Sequence, residues 1–170
     1  GGLYFEKIFT IKVLPAYLPS TGLVGWWPFN GNAKDESGYG RDGLVNEAVL
    51  TTDRTGASAK AYAFDGVNDN ILVNGITQTS FEVDYAVSAW VLFNNFNNDY
   101  PSIVEGQNGT IYILGSGPAY GSNSNKILML QGIYNNPSQR RVDNIISNVI
   151  TTGEFHHVLL TKTGVTVDLY

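Results

Sequence analysis

Residues 85–93 read YAVSAWVLF, the longest stretch of the chain in which apolar and β-branched residues run on without Gly, Pro or a charge to break them. At the two-residue period of a strand, Tyr85, Val87, Ala89, Val91 and Phe93 share one face and Ala86, Ser88, Trp90 and Leu92 the other. Both faces are largely apolar. The pattern predicts a central strand with one face packed on a second sheet and the other covered by loops or flooring a groove. Shorter apolar runs recur at 103–104, 111–114, 127–130, 142–150, 158–161 and 165–170, separated by Gly, Asn, Ser or Pro. No stretch carries an amphipathic helical period for three turns. The expected fold class is therefore all-β, an antiparallel sandwich or jelly roll.

The chain of 170 residues suits one domain with a sizeable core. Residues 4–13, YFEKIFTIKV, alternate as a first strand, and Pro15 and Pro19 in the LPAYLPSTG that follows break ladder pairing, so 14–21 reads as a linker. Residues 22–43, GLVGWWPFNGNAKDESGYGRDG, set Trp26, Trp27 and Phe29 before turn-forming Asn30-Gly31 and Ser37-Gly38. The three aromatics are read as the first core strand of the main body. In AYAFDGVNDNILV, residues 61–64 and 71–73 flank an Asp-Gly turn, which predicts a hairpin or a tight corner between strands.

Several function classes are excluded at this level. A net charge of −5, with ten Lys and Arg scattered apart from Arg140-Arg141, does not supply the clustered cations that nucleic-acid phosphates require. With no cysteine there is neither a disulfide framework nor a thiolate zinc site. No apolar run approaches the roughly 20 residues needed to span a bilayer, so membrane insertion is not expected. The only histidines, His156 and His157, are adjacent and point to opposite faces of a strand, so they do not share a metal, and no nucleophile–histidine pair of the usual kinds is expected. Glu82 and Asp84 lie on one strand face, but no third acid follows at Ala86 or Val87, so catalysis by paired carboxylates is not expected there.

Two kinds of site remain. Calcium takes several oxygen ligands from irregular loops, and Asn30, Asp35, Ser37 and Asp42 offer them in one loop, Asp65, Asn68 and Asp69 in another. The second is an aromatic surface on which sugar rings stack: Trp90 lies on the second face of the long strand, and Tyr100, Tyr112, Tyr120 and Tyr134 lie in or beside polar loops.

The succession GLVGWWPFNGNAKDESGYGRDG, AYAFDGVNDNILV, AVSAWV and GEFHHVLLT resembles a laminin-G-like domain of the concanavalin A-like lectin/glucanase superfamily over residues 22–170. Residues 4–13 resemble the last strand of a cadherin-like or immunoglobulin-like surface repeat. The resemblance implies a two-sheet jelly roll and a non-catalytic carbohydrate-binding or adhesion module of a large secreted or cell-surface bacterial protein. An ancillary module of a polysaccharide-degrading enzyme and a structural spacer are its alternatives. Its partner would be a glycan or cell-surface component. It also favours the first loop for a structural calcium, with Asn30, Asp35 and Asp42 as ligands. Phe155 stands where the family has Trp. The family's sheet continues beyond the strand matching VTVDLY, so a C-terminally incomplete sandwich is expected.

Overall fold

The structure is a computed structural model that describes residues 21–76, 84–95, 102–105, 112–115, 127–130, 150–163 and 166–169. The expected strand at 4–13 lies outside them, as does all of the linker except Thr21. The described residues form ten strands and no helix: β1 (Gly43–Asn46), β2 (Val49–Thr51), β3 (Ala61–Ala63), β4 (Asn70–Val73), β5 (Tyr85–Leu92), β6 (Ser102–Glu105), β7 (Tyr112–Gly115), β8 (Ile127–Leu130), β9 (Phe155–Thr163) and β10 (Thr166–Leu169). Every pairing is antiparallel, in the orders β1-β4, β2-β3, β10-β9-β5 and β6-β7-β8. The all-β, antiparallel class read from the sequence is what these residues adopt.

The alternation of β5 is realised. Tyr85, Val87 and Ala89 are partly buried, whereas Ala86, Ser88 and Trp90 are exposed. The inward residues meet a core in which Leu160 is 0% exposed, flanked by Val158 and Ile150, and Tyr85, Val87, Val91, Phe93, Ile103 and Val104 pack against it. The sequence placed β5 at the centre of its sheet. Among the described residues the central position belongs to β9, which pairs β5 along Leu92↔Phe155 to Tyr85↔Lys162 and β10 along Thr163↔Thr166 to Leu160↔Leu169. Strands of similar apolarity compete for the centre, and the nine residues of β9 provide pairing along both edges.

Residues 61–73 are not a hairpin in themselves. β3 pairs back onto β2, and β4 onto β1, so the four strands form two nested pairs and the Asp-Gly turn is the corner between them. The corner is self-bonded: Asp65 Oδ1 accepts the Val67 N–H at 2.8 Å and Asp69 Oδ2 accepts the Asp65 N–H at 2.8 Å. On the other side of the ribbon, only Glu47 and Ala48 separate β1 from β2, and Glu47 takes a left-handed φ of 60° to make the step. With two residues facing six, the ladder is interrupted between the two pairs.

Gly43 opens β1 where a side chain has no room. A Cβ there would lie 2.6 Å from Ile71 Cγ2 and 3.1 Å from the Cβ of buried Ala33. Strand pairing holds the Ile71 backbone, and its β-branched side chain has few alternative rotamers to relieve the contact. Gly43→Ala is therefore expected to destabilise the chain by about 1–3 kcal/mol, the usual cost of overpacking, measured by urea denaturation against the parent. An unchanged midpoint would show that β1 and β4 yield without strain.

Candidate functional site

The segment from residue 22 to residue 42 contains no strand, so the expected first core strand is corrected to a loop. Pro28 has no N–H for a ladder, and Phe29 takes a left-handed φ of 54°, which no strand accommodates. The aromatics still pack. Phe29 meets Tyr62 edge-on at 5.2 Å, and the Trp27 indole N–H donates to the Arg41 carbonyl at 2.8 Å. All three are only partly buried.

Asp35 organises this loop. Its Oδ1 accepts the N–H of Trp26 at 3.0 Å and of Ser37 at 2.8 Å, and its Oδ2 accepts the N–H of Arg41 at 3.1 Å. Its own N–H donates to Asp42 Oδ1 at 2.9 Å, and the Arg41 guanidinium donates to the Val24 carbonyl. Backbone groups that find no ladder partner are thus satisfied by carboxylates. Desolvation pushes the Asp35 carboxyl up, but the Ser37 side chain and the N–H groups of Trp26, Ser37 and Arg41 outweigh it and hold it down at about 2, below the ordinary 3.8.

That shift has a definite sign. The folded pKa is depressed, so the stabilisation is fully present above about 3.8 and is lost as pH falls through about 2. Asp35→Ala strands three backbone donors in a partly hydrated loop and is expected to cost about 1–2 kcal/mol at neutral pH. The deficit should shrink as pH is lowered from 4 to 2, about where the parent loses the same charge. Parallel denaturation of parent and variant across this range measures it, and a deficit independent of pH would refute the carboxylate's role.

Of the expected calcium ligands Asn30, Asp35 and Asp42, each accepts a hydrogen bond from the protein itself. The Asp35 oxygens face three N–H donors, Asp42 Oδ1 faces a fourth, and Asn30 Oδ1 accepts the Lys60 ammonium at 3.0 Å. A carboxylate has about four acceptor sites, so these bonds order the loop without using up the oxygens of Asp35 and Asp42.

A second constellation lies on the outer face of β5 and β9. Trp90 is directly opposite His157, their rings 5.0 Å apart and tilted by 36°. Ser88, two residues along on the same face, contacts His157 Nε2 through Oγ at 2.8 Å. From the turn between β2 and β3, the Arg54 guanidinium carbon lies 4.5 Å from the Trp90 ring centroid, within cation–π range. The turn beneath Arg54 is stapled, since Asp53 Oδ1 accepts from the Thr55 hydroxyl at 2.7 Å, the Thr55 N–H at 2.8 Å and the Ala57 N–H at 2.9 Å. Trp90 nevertheless remains 50% exposed.

Adjacency does send the histidines apart. His156 is held on the other side by the Thr151 carbonyl, 3.0 Å from its Nε2. The expectation that no hydroxyl–imidazole pair would form is corrected by Ser88 and His157. Both groups are exposed, and among the described residues no donor cradle of the kind acyl transfer uses lies beside them.

Trp90 is the one sequence-predicted aromatic whose surroundings are described. Tyr112 lies within β7, where its backbone is paired with Glu105 and Leu130. Tyr100, Tyr120 and Tyr134, and Glu82 of the acid pair, lie outside the described residues; Asp84 is exposed. Sequence reasoning missed Arg54, Ser88 and His157 as neighbours of Trp90. The shared face of Ser88 and Trp90 was legible, but contacts from residues 36 and 67 positions away were not. No family model, no curated protein and no solved structure matches the chain.

Proposed function

We propose that the chain is a non-catalytic carbohydrate-binding or adhesion module, built as a laminin-G-like two-sheet jelly roll and displayed by a secreted or cell-surface bacterial protein. The observation that carries this reading is the half-exposed Trp90 ring on the outer face of β5, bordered by the Ser88 hydroxyl and the His157 imidazole. A large aromatic left in water beside convergent polar groups is the composition of a sugar subsite: the ring takes the C–H face and the polar groups take hydroxyls. The packing of Ile103 and Val104 from β6 onto the core of the β5–β9 sheet supports a two-layer arrangement.

A glycan-array screen of the fluorescently labelled chain, run with and without EDTA, tests the function. Binding to at least one glycan class is expected, and the EDTA arm shows whether an ion held by the loop contributes to it. A uniformly blank array would favour the spacer alternative. Signal abolished by EDTA and restored by calcium would show that a bound calcium ion supports the binding surface.

A further inference from the structure

We propose that the Trp90 platform recognises a sugar carrying an anionic substituent, with Arg54 as the residue that sets this preference. The proposal rests on the carbohydrate reading above and narrows it. The Arg54 guanidinium already lies over the Trp90 ring. A neutral sugar stacking on that face must displace the cation from the indole and offers no charge in exchange for the lost cation–π contact. A sugar with an acidic group does not have to break the pair, because the guanidinium N–H fork matches a carboxylate or sulfate while its own face stays on the ring.

Three further observations support this assignment. Arg54 is exposed, so its donors face water and not a buried partner. Its backbone is fixed on both sides: Gly56 and Thr55 fold back on Asp53, and the Asp53 N–H donates to the Ala57 carbonyl at 3.0 Å, so the turn that carries the side chain is already ordered. Ser88 and His157 supply hydroxyl-reading groups beside the ring. The net charge of −5 means that the field of the whole chain does not gather anions. Recognition must therefore be local, through one guanidinium at contact distance.

Short oligogalacturonates and their methyl esters, which share the sugar ring and differ in charge, are the first pair of probes. Dextran sulfate and dextran are the second, and separate a sulfate from a carboxylate. Isothermal titration of the 170-residue chain is expected to show at least one acidic probe bound about tenfold more tightly than its neutral counterpart. Arg54→Gln should remove that preference with a retained melting transition and at most a small drop in its midpoint, from loss of the exposed Trp90 ring contact, and Arg54→Lys should restore only part of it. Equal affinity for charged and neutral members, or a preference that survives Arg54→Gln, would overturn the proposal while leaving carbohydrate binding intact. Failure of all four probes, with a neutral glycan of the array bound at Trp90, would also overturn it. If no glycan of any charge binds, the carbohydrate reading falls with it.

Discussion

Leu160→Ala is expected to lower the stability of the chain by about 2–5 kcal/mol, the largest loss anticipated for any single replacement described here. Leu160 is 0% exposed and lies on β9, the strand that pairs with both β5 and β10. Its removal withdraws contacts from Val158 and Ile150 and from the inward residues of β5 and β6 at once. The backbone cannot collapse into the space, because β9 is pinned by ladders along both edges. The cavity should therefore persist, which places the cost away from the low end of the range. Chemical denaturation followed by circular dichroism measures it. A loss below about 1 kcal/mol would mean that this core is not the one that holds the fold.

The second large effect is on binding. Trp90→Ala is expected to weaken glycan binding by roughly thirtyfold, about 2 kcal/mol, as for removal of a central aromatic contact. The fold should tolerate it. The side chain is half exposed and projects from the outer face of β5, opposite the face that Val87 and Val91 turn to the core. A modest stability change is still expected, since Arg54 and His157 both lose a ring contact. Loss of binding with a retained melting transition is the expected signature, and Trp90→Phe should retain part of the affinity. A variant that binds as tightly as the parent would move the site elsewhere.

How much of this was legible in the sequence depended on the range of the interaction. The faces of β5 follow from a period of two, so the inward Val87 and the outward Trp90 could be read directly. The place of β5 in its sheet could not, because ladder neighbours depend on residues far away in the chain. The same limit explains the Asp-Gly turn at 65–66. Its local chemistry makes a reversal, but whether the flanking strands pair with each other or with earlier strands is decided by β1 and β2. In the loop before β1, the aromatic run looked like a strand. Pro28, the left-handed Phe29 and the carboxylate of Asp35 together give the backbone another set of partners. Acidic and amide side chains there were read as ion ligands, and their oxygens accept N–H groups of the loop and the Lys60 ammonium. Sequence alone does not separate these two uses of the same atoms.

The central claim, that the exposed ring on β5 is where carbohydrate binds, is tested most directly by the indole N–H resonances of the protein in a glycan titration. The chain has three tryptophans, so three signals are expected, and Trp90→Phe assigns one of them. The Trp90 signal should shift in proportion to occupancy. Those of Trp26 and Trp27, which sit in the loop before β1, should stay in place. Saturable binding with Trp90 unmoved, or with Trp26 and Trp27 shifting in its stead, would contradict the account.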